Sequence, residues 1–235
     1  MTKHPSTDSL VEATRSRTRF SGHGQAKGAA GYKECLSEEG QTSILYAPEG
    51  GFGKIRVGAA WDNIAVANTG MIGKLFKKIT RQGIDIDLGC LYELQDGTRG
   101  AVQAFGGMFG KYDQAPYIFL SGDERTGNAQ GDDEFIRING RHWGDIKRLL
   151  FYVYIYHGTG DWSLIRPKIS VAIAGEEPLL VVPKAEKSEL AVCAVAMMDN
   201  AGGHIKLTNH TEYFPGHAEM DRAFGFGLQW DDGNK

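Results

Sequence analysis

The thirteen residues from Gly122 to Glu134 carry five carboxylates, three glycines and one arginine. No apolar side chain larger than alanine interrupts them, and the apolar run Phe135-Ile136-Arg137-Ile138 follows at once. A loop this acidic repels itself unless it spreads into water or holds a cation. Calcium suits it, because that ion takes about six to eight oxygens from carboxylates, backbone carbonyls and water. Glycines let the backbone turn its carbonyls inward. A second wall is available upstream, where Ile84 to Leu94 alternates as a strand does. Ile84, Ile86, Leu88, Cys90, Tyr92 and Leu94 fall on one face; Asp85, Asp87, Gly89, Leu91 and Glu93 fall on the other. Asp85 and Asp87 then project the same way, roughly 7 Å apart along the strand.

The loop is not an EF-hand. Asp123 and Glu134 occupy its first and twelfth places, but Arg125 and Gly127 stand where oxygen side chains are required. From the residues alone three readings stay open. The loop holds calcium with help from Asp85 and Asp87. Alternatively it is a solvated acidic turn in which Arg125 neutralises its neighbours. The third reading is a magnesium or manganese hydrolase site, which requires a nearby base or nucleophile, and none is evident. His204, His210 and His217 have no cysteine partner at zinc-ligand spacing. The chain has neither a Walker-type phosphate loop nor a Gly-x-Ser-x-Gly elbow.

The elements that must position these carboxylates read as strands. Short apolar or alternating runs occur at residues 43–46, 54–61, 84–94, 117–120, 135–138, 149–156, 169–173, 179–182, 190–197 and 204–207. Gly/Pro/Asn/Asp turn signals separate them, including Gln95-Asp96-Gly97-Thr98. Leu149 to Tyr156 is continuously apolar, the pattern of a strand buried on both faces. Regular spacing predicts an all-β fold, a two-sheet antiparallel β sandwich with a few short helices or turns. Residues 1–40 are polar and predict a flexible N-terminal tail; residues 41–235 form the sandwich domain. Residues 101–115 read as a loop, and Tyr213 to Trp230 as an aromatic and glycine-rich tail packed on the domain. Asn63 to Gly83 is a long connection carrying the basic run Lys74-Leu75-Phe76-Lys77-Lys78-Ile79.

A net charge of −3 gives no basic field for nucleic acid. No apolar run reaches the ~20 residues that span a bilayer. The N-terminus lacks a secretory signal, and three dispersed cysteines predict reduced thiols in a cytoplasmic protein.

The run Gly122-Asp123-Glu124-Arg125-Thr126-Gly127, followed by Gly131-Asp132-Asp133-Glu134, resembles the signature of the TerD family of tellurium-resistance and stress proteins. Val57-Gly58-Ala59-Ala60-Trp61-Asp62 and Ile84-Asp85-Ile86-Asp87 resemble two further family motifs in the same order. The runs Cys90-Leu91-Tyr92-Glu93-Leu94 and Glu219 to Gly227 are most similar to the TerA branch. The resemblance implies a calcium-binding β sandwich without catalytic activity that serves tellurite, phage or other stress resistance. It also implies partnership with other Ter-type proteins at the inner face of the membrane. Carried over by position, the Ca2+ ligands are Asp85, Asp87, Asp123, Asp132, Asp133 and Glu134. Three features depart from the family pattern: Leu88 follows the paired aspartates, Gly158 follows His157, and the 63–83 insertion is long. The alternatives are a metal-free scaffold of the same fold that mediates protein–protein contacts, and a metal-dependent hydrolase of a phosphorylated small molecule.

Overall fold

The computed structural model describes residues 31–61, 85–121, 134–157, 161–186 and 188–230. In chain order the strands are β1 (Glu34–Leu36), β2 (Thr42–Leu45), β3 (Lys54–Ala60), β4 (Asp85–Leu94), β5 (Arg99–Val102), β6 (Gly110–Lys111) and β7 (Ile118–Leu120). They continue as β8 (Glu134–Asn139), β9 (Ile146–His157), β10 (Lys168–Ile173), β11 (Leu179–Val181), β12 (Val192–Ala201) and β13 (His204–Phe214). Among the described residues the helices are α1 (Trp162–Ile165) and α2 (His217–Phe224), with 3-10 segments at Phe105–Gly107 and Gly140–Asp145. One sheet has seven strands in the order β1-β11-β10-β3-β8-β7-β6, and the other has six in the order β2-β13-β12-β9-β4-β5. The architecture is therefore an all-β sandwich. Every strand pair is antiparallel except β1 with β11.

The alternation read in β3, β4 and β8 survives folding. Ile55, Val57, Ile86, Leu88, Cys90, Ile136 and Ile138 face each other between the sheets and are essentially inaccessible. Burying each such side chain contributes roughly 1.5–3 kcal/mol before chain entropy is subtracted. In β9, Leu149, Phe151 and Val153 enter that same core. Leu150, Tyr152 and Tyr154 enter a second cluster on the outer face of the six-stranded sheet with Leu91, Val192, Phe214, Met220 and Phe226. The second cluster explains why this strand is apolar on both faces. Gly89 stands opposite Tyr152, and a Cβ there would lie 2.2 Å from the tyrosine ring. Its lack of a side chain makes room for that ring.

Three local readings shift. The first sheet begins at Glu34, inside the polar segment 1–40, because Glu34–Leu36 adds in parallel to β11. Residues 101–115, read as a loop, contain the end of β5, a tight turn at Phe105–Gly107 and β6. The aromatic and glycine-rich tail contains α2. Its C-terminus is closed by Gly225 in the left-handed conformation, φ 65°, whose amide bonds Asp221 O. The insertion 63–83 lies outside the described residues.

Candidate functional site

One end of the sandwich gathers the acidic motifs. There Glu134 opens β8 opposite Ala59, Asp85 opens β4 opposite His157, and Lys168 opens β10 opposite Ala60. The acidic connection leaves β7 and re-enters β8 at this end, because the two strands form a hairpin in which Leu120 pairs with Ile136. Its neck is clasped: Ser121 N donates to Phe135 O at 2.9 Å, and Ser121 Oγ donates to the same carbonyl at 2.7 Å.

Two of the predicted ligands have described side chains. Glu134 is 1 % exposed. β5 covers the edge of β4 only between Cys90 and Glu93. Beyond Cys90, the Leu88 amide turns to Glu134 and donates to its Oε2 at 2.6 Å. The departure noted at Leu88 is thus a core residue whose backbone serves the carboxylate. Asp87 is 7 % exposed and lies opposite Tyr154 on β9. The Tyr154 hydroxyl donates to Asp87 and accepts from Phe105 N at 3.3 Å. Burial, then the charge of Asp87 and that hydrogen bond, raise the phenol far above its ordinary value; Glu134 adds to the same field. Two buried carboxylates therefore bear on one tyrosine at the mouth of the acidic connection.

Asp85 is placed by its backbone alone. The pairing of β4 with β9 is irregular between Asp85 and Ile86, where Tyr156 is the extra residue on β9, so simple alternation does not carry from Asp87 to Asp85. Asp123, Asp132 and Asp133 lie outside the described residues. Among the described residues no group of three or more His, Cys, Asp or Glu side chains is placed to hold one ion. The donor chemistry fits calcium: Asp87 and Glu134 offer hard oxygens from buried carboxylates.

Sequence reasoning missed a second carboxylate centre at the other end of β4. Glu93, 2 % exposed, accepts from Lys147 Nζ at 2.8 Å, Arg148 Nε at 2.7 Å and Arg99 Nη2 at 3.1 Å. Burial pushes this carboxyl up, but the hydrogen bonds from Lys147, Arg148 and Arg99 outweigh it and hold the pKa at about 2. The same arginines reach the end of α2. Arg148 donates to Phe224 O and Gly225 O, Arg99 donates to Phe226 O, and the Arg148 guanidinium lies 4.2 Å over the Phe226 ring. Asp221, 3 % exposed, then accepts from Gly227 N, Leu228 N and Trp230 Nε1 at 2.7, 2.7 and 2.9 Å. The two runs that most resemble the TerA branch, 90–94 and 219–227, meet here. His217 begins α2 among the rings of Tyr152, Tyr154 and Trp230, and burial lowers its pKa to about 4.

An all-β sandwich with an acidic connection at one end is the architecture expected of a Ter-type module. No family model matches the chain. Over 203 residues, 86% of this chain, it is 36% identical to tellurium resistance protein TerA from an Alcaligenes species. Over 120 residues, 50% of this chain, it is 31% identical to tellurium resistance protein TerZ from Serratia marcescens. The sequence is thus similar to Ter-type tellurium-resistance proteins, and among them it is TerA-like. It spans 58% of the length of each of these curated relatives. Among the described residues no helix is long and apolar enough to cross a membrane.

Proposed function

We propose that the chain is a non-enzymatic, calcium-binding stress-resistance module of the tellurite and phage type that works in an assembly with other Ter-type proteins. The observation that carries the calcium part is that two buried carboxylates, Asp87 and Glu134, both bear on Tyr154. Asp85, Asp87, Asp123, Asp132, Asp133 and Glu134 are the ligands in this reading. The ion supplies positive charge that offsets carboxylate repulsion, which links binding to stability. The names of the relatives support the resistance role, and both are named for tellurium resistance, not for a reaction. In this proposal the module is cytoplasmic and peripheral to the inner membrane.

Calorimetric titration with calcium, alongside melting in calcium and in chelator, tests the reading. Calcium at about a hundredfold over Kd should add about 2.7 kcal/mol to stability, and Asp87→Asn with Glu134→Gln should abolish most of that gain. Absence of both heat and a melting shift up to millimolar calcium would remove the metal from the function. A specific observation favours a second reading, a metal-free scaffold: Tyr154 and the Leu88 amide already donate to the two carboxylates. On that reading the melting temperature is the same in calcium and in chelator.

A further inference from the structure

Asp87 and α2 lie on the same face of the six-stranded sheet, and one side chain touches both. Alternation turns Asp87, Gly89, Leu91 and Glu93 of β4 to that face, which α2 and the tail to Trp230 cover. Tyr154 is the cross-strand partner of Asp87 on β9 and is 4 % exposed. Its hydroxyl accepts from Phe105 N at 3.3 Å, and Phe105 O in turn accepts from Gln103 Nε2 at 3.3 Å. With that lone pair filled, the single hydroxyl proton points to Asp87. The ring of the same tyrosine lies edge-on to the imidazole of His217, the first residue of α2, with centroids 4.8 Å apart. Trp230 stacks on that imidazole at 5.1 Å, and its indole is bonded to Asp221 of the same helix. His217 Nε2 is covered and has no hydrogen-bond partner among the described residues. Ring contact, not a hydrogen bond at Nε2, therefore sets the imidazole against Tyr154. Tyr152, on the same strand and face, also meets His217, at 5.4 Å, but its hydroxyl donates to Gln103 Oε1.

We propose that Tyr154 is a positioning residue for the ion site, one that orients the Asp87 carboxylate and couples ion capture there to the docking of α2 through His217. This inference rests on the calcium reading above and adds to it the element that responds. Carboxylates that ligate metal ions are themselves held by hydrogen bonds, and those outer partners set affinity. A tyrosine whose ring is fixed by a docked helix offers its hydroxyl to Asp87 in one orientation, so helix docking favours ion binding. Linkage makes the effect reciprocal: an ion at Asp87 must favour the docked helix by the same factor. The path is made of direct contacts, from carboxylate to hydroxyl, ring, imidazole and indole.

The test uses the full chain with calcium alone as the probe, read by calorimetry and by amide exchange of 217–224 in calcium and in chelator. Calcium should bind the wild type and slow exchange in 217–224. Tyr154→Phe keeps the ring against His217 and removes the hydroxyl. It should weaken calcium at least about tenfold, and the slowing should be lost even when calcium saturates the variant. His217→Ala leaves the hydroxyl bond and cuts the link to α2. It should weaken calcium by about fivefold or more, and exchange in α2 should no longer respond to the ion. Tyr152→Phe, the same change on the same face, should do much less in both measurements. A variant that is merely less stable exchanges faster in calcium and in chelator alike, so the difference between the two isolates the coupling. Heat of binding in the wild type, with exchange in 217–224 indifferent to calcium, would overturn the coupling and leave the calcium reading standing. Equal losses in Tyr152→Phe and Tyr154→Phe would do the same. No heat in the wild type would remove the calcium reading and this inference together.

Discussion

The two outer faces of this sandwich are built from the same kind of strand and meet opposite fates. On the six-stranded sheet, β9 and β4 present Leu150, Tyr152, Tyr154 and Leu91 outward, and α2 with the tail to Trp230 covers them. On the seven-stranded sheet, β3 and β8 present Lys54, Arg56, Phe135 and Arg137 outward, and these side chains stay partly or fully accessible. Apolar alternation on both faces demands a cover, whereas apolar alternation on one face is satisfied by water on the other. The cover on the first face is fastened by two buried carboxylates, Glu93 and Asp221, which bind cations, amides and an indole. On the second face the arginines lean on phenyl rings. One face binds its charges to backbone and side chains of the returning tail, and the other stacks its arginines on phenyl rings.

The fastened face should be the easier one to break. Glu93→Gln removes the shared partner of Lys147, Arg148 and Arg99, and about 3–5 kcal/mol of stability should go with it in urea unfolding. Amide exchange in 217–224 should speed up first, because Arg148 also holds the end of α2. Unchanged exchange in α2 would show that apolar contact alone fastens the cover. Asp221→Asn should cost less, about 1–3 kcal/mol, since an asparagine oxygen in the place of Oδ2 still accepts from Leu228 N and Trp230 Nε1 and only the Gly227 bond is lost. A cost near zero would mean that the tail to Trp230 adds nothing to the fold.

The smallest effect is the acid slope. His217 is held at about 4 against an ordinary 6.5, so folding favours its neutral form. Stability from this group is complete above 6.5 and falls as pH drops from 6.5 toward 4, by about 1 kcal/mol one unit below 6.5. Glu93 acts in a lower window. Its carboxyl is held at about 2 against 4.5, so its contribution is present above 4.5 and is lost as pH falls toward 2. His217→Phe should flatten the upper window and leave the lower one. A slope between pH 6 and 5 that survives this substitution would assign the upper window to other groups.

Local pattern made much of the sandwich legible. β2, β3, β4, β8, β9 and β10 stand within a few residues of the alternating or apolar runs that announce them, because a period of two is written into the strand itself. The doubly apolar run of β9 even announced that its outer face would be covered. What would cover it was harder to read. The α2 segment is eight residues long and hidden among glycines and aromatics, and the glycines that bound it, Gly216 and Gly225, resemble ordinary turn signals. Glu93 read only as one more acid on the polar face of β4, since Arg99, Lys147 and Arg148 gather round it through strand pairing.

By itself the sequence determined the strand alternation, the acidic run 122–134 and the family resemblance, all of which are carried by residues close together in the chain. Only the tertiary structure decided which charges became neighbours. Register set Arg56 against Arg137, the edge of β4 beyond β5 turned the Leu88 amide toward Glu134, and the return of α2 made Arg148 both a partner of Glu93 and a clasp on the tail. These contacts join residues far apart in the chain, and no local propensity encodes them. At the acidic end the fold buries Asp87 and Glu134 and gives them the Tyr154 hydroxyl and the Leu88 amide as donors.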